Sequence, residues 1–399
     1  MALTTSQAEN TALSPPAAVQ ETDTTPQGLP RTDGKFLRAG GERLLIKGVT
    51  YGTFTPTADG HQFPTPARVA QDFALMAAHG ANTVRTYTMP PEFLLDEAAR
   101  HGLYVMAGVP WSQHVAFLAD RKSRQEIERG IVADVKRLGH HPALLLVALG
   151  NEIPAAVVRW HGRHRIERFL HDVFLSAKAA VPQTLFTYVN FPPTEFLDLP
   201  FFDIASFNIY LHREEDLRAY VQRLQQVAGR LPLLIAELGS DSIRQGDHGQ
   251  ASLTSMQLET AFRGGACGAI AFAWTDEWWR GGFDVEDWDF GLVDRDRKPK
   301  PALAAVTQVF ASAPFSAAEA ATWPKVSVVV CAYNAASTID ECLASLSALT
   351  YPDYEVIVVN DGSRDSTGDQ ARRYPIATVI DVSNGGLSAA RNIGLEAAS

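Results

Sequence analysis

Between residues 33 and 313 the chain repeats one pattern eight times: a short, continuously apolar run, usually followed by a stretch with helical spacing. The runs are LLIKGVTYGTF (44–54), ANTVRTYT (81–88), LYVMAGVPW (103–111) and ALLLVALGNE (143–152), then TLFTYVNF (184–191), DIASFNIYL (203–211), LPLLIAELG (231–239) and GAIAFAWTDEW (268–278). Helices are expected over 66–80, 90–102, 123–139, 165–181, 214–229, 252–265 and 301–313, with the weakest helical pattern between the fifth and sixth runs. A strand covered on both faces reads as an unbroken apolar run rather than an alternating one. Eight such units predict a (β/α)8 barrel over 33–313, an α/β fold. No glycine-rich phosphate turn follows the first run, which disfavours an open dinucleotide-binding sheet.

The flanks obey different rules. Residues 1–32 are rich in Thr, Pro, Ala and Ser, offer little to bury, and read as a flexible leader. A Pro- and Ala-rich linker is expected over 314–324. Residues 325–399 then show KVSVVVCAYN, YEVIVVNDGS and ATVIDV as strands, with STIDECLASLSAL a helix capped by Ser337 and LSAARNIGLEAAS a second helix. This segment predicts a partial Rossmann-like α/β sheet, short for a doubly wound domain, and so a truncated one.

Composition removes several functions. With 45 acidic and 35 basic residues the formal charge is −10, which supplies no basic face for nucleic acid or an anionic membrane. Three cysteines (Cys267, Cys331, Cys342) are too few for a disulfide framework or a cysteine zinc site, and they fit a reducing compartment. No signal peptide is visible and no 18 apolar residues run together, so the expected location is cytoplasmic, or membrane-associated through a part beyond residue 399. His161, His164 and His171 lie near one helix without a carboxylate to complete a metal set, and read as a solvated face. Neither metal nor cofactor is expected.

In a barrel, reacting groups sit where strands end at the carboxyl-terminal face. The fourth run ends in Gly150-Asn151-Glu152 and the seventh in Ala236-Glu237-Leu238-Gly239. Two carboxylates across a barrel mouth are what glycoside hydrolysis requires: one protonates the leaving oxygen, the other attacks the anomeric carbon or activates water. The bland alternative is that each pairs with an arginine or caps a helix. Arg85 and Tyr210, at the ends of the second and sixth runs, are placed to hold a nucleophilic carboxylate. The eighth run leads into Trp274, Asp276, Glu277, Trp278 and Trp279, with Trp288 behind; indoles suit the flat C–H faces of sugars. Trp274 and Trp278 are thus candidate sugar platforms, the alternative being an apolar plug, and Asp276 and Glu277 are rival acids.

The segments NTVRTY, LGNE, SFNIYL, IAELG and AWTDEW…FGLVDRDRKPKPAL resemble the retaining barrel enzymes of glycoside hydrolase clan A, with the family 2 catalytic domain the nearest in flavour. The resemblance implies Glu152 as acid/base, Glu237 as nucleophile, Asn151 on the sugar 2-hydroxyl, Arg85 and Tyr210 orienting Glu237, and Trp274 lining a sugar subsite. The carboxyl groups of a retaining pair are expected about 5–5.5 Å apart. The segments VSVVVCAYNAASTIDECLASL, EVIVVNDGSRDST and SNGGLSAARNIG resemble the start of a family 2 glycosyltransferase. That implies nucleotide contacts at Asp361 and near Asn384 and Arg391, with the family's metal-binding segment falling beyond residue 399 and no nucleotide-sugar transfer from this length of chain.

Two functions stand. The first is a retaining hydrolase or transglycosylase acting on a β-glucan-type glycan. The second is a non-catalytic carbohydrate-binding barrel serving a fused polysaccharide-making glycosyltransferase.

Overall fold

The computed structural model describes residues 29–58 and 60–399, and the chain divides into two compact units, one running to Pro314 and the other over Phe315–Ser399. Most of the expected leader lies outside the described residues.

In the first unit eight parallel strands close into a barrel: β1 (Ile46–Thr50), β2 (Thr83–Arg85), β3 (Tyr104–Gly108), β4 (Leu144–Asn151), β5 (Leu185–Asn190), β6 (Ile204–Asn208), β7 (Leu233–Leu238) and β8 (Gly268–Ala271). They pair in chain order, with β8 returning to β1 through the Gly268–Ile46 to Ala271–Val49 register. Side chains alternate across each strand. Leu146, Ala148, Leu234, Ala236 and Ile270 accordingly fill one buried cluster inside the barrel. Val147, Leu149, Leu233 and Ile235 join the larger cluster that packs the surrounding helices.

The helices fall where the spacing places them. Pro66–Ala78 is capped by Thr65, Arg121–Leu138 by Asp120, and Pro301–Ser312 starts on proline, whose missing N–H costs nothing in a first turn. Between β5 and β6 the weak pattern yields only the 3-10 turn Pro192–Thr194. A short helix, Ala155–His161, follows β4, and Ser242–Arg263 begins ten residues earlier than expected, with a break at Gly246.

One element was not anticipated. Arg31–Asp33, Phe36–Ala39 and Glu42–Leu44 form a small antiparallel sheet, beginning inside the segment read as leader. Leu37 from its middle strand is fully buried in the inner barrel cluster.

The second unit is a three-stranded parallel sheet in the order β9 (Val326–Ala332), β10 (Tyr354–Asp361), β11 (Ala377–Val382), with helices Ile339–Ser347, Thr367–Ala371 and Leu387–Glu396. Thr338, not Ser337, occupies the cap of the first of these, and it makes no side-chain cap bond. The expected linker carries structure of its own. Ala317–Ala320 is a helical turn capped by Ser316, and Trp323 stacks on Tyr351 with ring centroids 5.4 Å apart.

Candidate active site

The carboxyl ends of the barrel strands surround a cavity of about 870 Å³. Arg85, Asn151, Glu152, Tyr210 and Glu237 all line it. Five residues separated by up to 152 positions in sequence thus meet because a barrel gathers its strand ends.

Glu237 sits low in this cavity, 7% exposed. The Arg85 guanidinium, itself 2% exposed, places Nη1 2.9 Å from Glu237 Oε1. Tyr87 donates its hydroxyl to the same oxygen at 2.8 Å, and Tyr210 donates to Oε2 at 2.7 Å. Burial and the Glu237 charge hold both phenols well above the ordinary tyrosine range, so they remain donors. The carboxyl group thus faces donors on both oxygens, the pattern of a carboxylate. Arg85 is fixed by three further acceptors: the Ala236 carbonyl at 2.7 Å, Asn208 Oδ1 at 3.1 Å and Asn151 Oδ1 at 2.7 Å.

Glu152 has a different environment. One neutral donor, Asn208 Nδ2, reaches its Oε1 at 2.9 Å. Burial, and then the negative charge of Glu237, push its carboxyl pKa up. Its backbone is left-handed (φ 51°), a costly conformation for a residue with a side chain. The surroundings enforce it. Glu152 N donates to the Val189 carbonyl at 2.9 Å and Ile153 N donates to Tyr188 Oη at 2.8 Å. Gln113 grips Asn151 on both sides, accepting from its N–H at 2.9 Å and donating to its carbonyl. Gly150 fits closely there, because a Cβ would stand 3.2 Å from both the Trp111 and Tyr188 rings.

Both glutamates follow a break in strand register. The β4–β5 ladder shifts between Ala148 and Asn151, and the β6–β7 ladder shifts between Ile235 and Glu237. Such irregularities re-aim side chains at barrel rims. Just past Glu237 a Cβ on Gly239 would fall 2.3 Å from the Phe272 carbonyl oxygen, so the return from β7 passes hard against the end of β8.

The tryptophans separate. Trp278 lines the cavity, edge-on to Tyr87 at 5.0 Å and tilted against Trp288 at 6.2 Å; Trp111, Trp279 and Trp288 also line it. Trp274 does not. It is 1% exposed in the outer core cluster, its Nε1 without a hydrogen-bond partner, so the expected subsite role is corrected to packing. The rival acids also lie outside the cavity lining. Asp276 is paired to Lys300 at 2.7 Å and accepts from Gly291 N, while Glu277 is paired to Arg297.

Of the histidines read as a solvated face, His161 is instead buried, 6% exposed, against Phe117. His164 is exposed beside Glu167, and His171 meets Phe201 edge-on. No cluster of metal-ligating side chains occurs among the described residues.

Tyr87, Asn208 and Gln113 escaped sequence reasoning as site residues. The first two lie inside the strand-end segments already singled out, NTVRTY and SFNIYL, so those segments were themselves the available signal.

In the second unit Asp361 ends β10, nearly buried, its carboxylate accepting from Gly385 N at 2.7 Å and Gly386 N at 3.0 Å. Asn384 Nδ2 donates to the Asp361 carbonyl at 3.0 Å, and Arg391 is exposed on the helix that follows.

Comparison with known proteins agrees with this fold. The model of Glycosyl hydrolases family 2, TIM barrel domain, matches residues 32–261, more than half of the chain, and that of Glycosyl transferase family 2 matches residues 327–399. The β-galacturonidase of Eisenbergiella tayi bound to galacturonate superposes with a TM-score of 0.60 at 19% identity, covering 71% of this chain and 54% of that one. The β-glucuronidase of Ruminococcus gnavus in complex with D-glucuronic acid gives 0.60 at 18% identity, covering 70% and 51%. At such identities the likeness is one of fold. The glycosyltransferase EpsJ of Bacillus subtilis is 47% identical over 79 residues, 19% of this chain and 23% of that protein. Glycosyltransferase AglE of Haloferax volcanii is 41% identical over 85 residues, 20% of this chain and 28% of that one. The chain therefore spans about half the length of these solved structures and about a quarter of these curated relatives. No helix among the described residues is long and apolar enough to cross a membrane.

Proposed function

This chain belongs to glycosyl hydrolase family 2 through its TIM barrel domain, and from that premise we propose that the barrel is a retaining glycosidase or transglycosylase acting on a β-linked glycan of the β-glucan type. The observation that carries the reading is the contrast between the two glutamates. Glu237 accepts from two phenols and a guanidinium, while Glu152, a few side chains away, has one amide donor and a pKa raised by burial. A carboxyl group met by donors on both oxygens, beside one whose pKa burial raises, suits the division of labour between a nucleophile and a general acid.

In the first step Glu237 attacks the anomeric carbon as the glycosidic C–O bond breaks, and the Glu152 proton passes to the leaving oxygen. In the second, Glu152 takes a proton from water or a sugar hydroxyl, whose oxygen attacks the anomeric carbon and releases Glu237. Asn151, whose Oδ1 is fixed by Arg85, serves the 2-hydroxyl of the sugar, and Trp278 serves its apolar face. Water as acceptor gives hydrolysis; a sugar gives elongation or branching.

The matched glycosyltransferase segment favours a setting in which the barrel trims or rearranges a glycan made by a fused synthase. In that segment we assign Asp361, Asn384 and Arg391 to the nucleotide side. The test is a screen of β-linked glucan oligosaccharides with product sizing, together with NMR of the first-formed anomer. Retained β-product, shorter or longer than the substrate, upholds the reading. An inverted product removes Glu237 as nucleophile, and binding without turnover across the panel leaves the barrel as a carbohydrate-binding module.

A further inference from the structure

The cavity carries a charge that nothing in the proposed reaction uses. Three arginines line it: Arg85, Arg244 and Arg280. Arg85 is matched by Glu237 at 2.9 Å, and Arg244 by Asp241 and, at 3.9 Å, by Asp287. The Arg280 side chain is exposed and has no ion-pair partner among the described residues. The one lining acid left over is Glu152, and its environment favours the neutral form. Apart from Glu152, which must carry its proton to act as the acid, no unpaired lining carboxylate remains to answer the Arg280 guanidinium, in a protein whose formal charge is −10.

The backbone that carries Arg280 is held in place. It lies on a two-stranded hairpin, Trp279–Arg280 against Phe283–Asp284, turned by Gly281 (φ 67°) and Gly282 (φ 94°). Positive φ at both turn positions is the geometry that hairpin glycines supply. The hairpin is tied to the segment after β1 at both of its strands: Trp279 N donates to the Thr53 carbonyl at 2.9 Å, and Thr55 Oγ1 donates to Asp284 at 3.2 Å. The guanidinium charge acts on Glu152 and on His114, whose pKa is lowered by burial and then by Arg280. Arg280 and Glu152 line the same cavity. In a double displacement the acid works on the leaving-group side, where the acceptor also enters.

We propose that Arg280 receives the carboxylate of an acidic sugar unit on the leaving-group side of the scissile bond, so that the glycan taken by this barrel is acidic at that position. The claim rests on the reading of Glu152 as acid/base. A guanidinium matches a carboxylate with two parallel hydrogen bonds, and a neutral sugar at that place would leave the charge unanswered.

The test uses the full chain and two aryl glycosides of the same shape and different charge, 4-carboxyphenyl and 4-carbamoylphenyl β-D-glucopyranoside. Calorimetric titration should show the carboxylate probe binding about fivefold tighter than the amide probe. Arg280→Gln should bring that ratio to about one, and Arg280→Lys should keep part of it. Raising salt from about 0.05 to about 0.5 M should shrink the ratio in the wild type and leave it unchanged in Arg280→Gln. A wild-type ratio of one, a ratio that survives Arg280→Gln, or no binding of the carboxylate probe overturns the proposal. Turnover is followed in the same samples. Preference for the carboxylate, with no turnover of either probe or of any β-linked glucan oligosaccharide in the panel, would sink the glycosidase reading while leaving the anionic subsite in place.

Discussion

Arg85 and Asn208 share a hydrogen bond, Nη1 to Oδ1 at 3.1 Å, and each holds one of the two glutamates: Arg85 lies 2.9 Å from Glu237, and Asn208 donates to Glu152 at 2.9 Å. Glu152 and Glu237 are joined through this pair.

Asn208→Ala removes the donor that favours the charged form of Glu152 and leaves burial unopposed. The Glu152 pKa should rise further, so the alkaline limb of kcat/KM moves to higher pH. The maximum should fall by roughly 10–100-fold, the worth of a hydrogen bond to a charged or charging group. A pH profile on a turned-over substrate checks both, and an unmoved alkaline limb would separate Asn208 from the acid.

Glu237→Gln should lower turnover by at least roughly 10⁴-fold while ligand still binds, because no covalent intermediate can form. Glu152→Ala should be far less damaging for aryl glycosides with good leaving groups, which need no proton. Added azide should then yield a β-glycosyl azide, detectable by mass spectrometry and NMR. An α-azide, or none at all, contradicts the assigned roles.

Trp274 and Trp278 lie four residues apart and should respond differently. Trp274→Ala opens a cavity in packed core and should cost about 3–5 kcal/mol, read by denaturant unfolding. Trp278→Ala removes a wall of the open cavity and should raise KM on the order of tenfold, with a smaller loss of stability. Equal effects on stability and KM from the two would undo the distinction.

Stability should also depend on pH through Glu152. Its folded pKa is raised above the unfolded value, so the native state binds more protons in the window between the two. Stability is therefore lost as pH rises from the ordinary carboxylate range through the folded pKa. Glu152→Gln cannot lose that proton, so it should melt higher than the wild type at neutral pH and converge with it in acid. Thermal scans at several pH values decide this; a wild type that melts higher than the variant at neutral pH has the sign reversed.

The barrel and its acidic centre were legible because both are written in runs. Eight apolar segments can be buried only as strands covered on two faces, and a glutamate closing such a run is costly unless it faces a cleft. The remainder depends on direction, which a run does not encode. Tyr87 stands two residues beyond β2, where the chain has left the ladder, so no alternation says that its hydroxyl turns to Glu237. Trp274 and Trp278 share one aromatic stretch, and only the fold of the loop buries the first and exposes the second to the cavity. The sheet over 31–44 was missed because its strands are three or four residues long and mostly polar, with Leu37 alone fully buried. His161 is buried by aromatic neighbours from the 117 region, which a helical wheel does not contain.

The register breaks ahead of Glu152 and Glu237 make the spacing of the two carboxyl groups a matter of counting. Along an extended chain neighbouring side chains point to opposite walls, so deleting a single amino acid from the irregularity before Glu237 should turn that glutamate outward among the helices, and a deletion before Glu152 should displace the left-handed turn that aims it. Point substitutions around the mouth can be absorbed by small movements. A lost residue cannot, so at these two short stretches a change of length should cost the cavity one of its carboxyl groups.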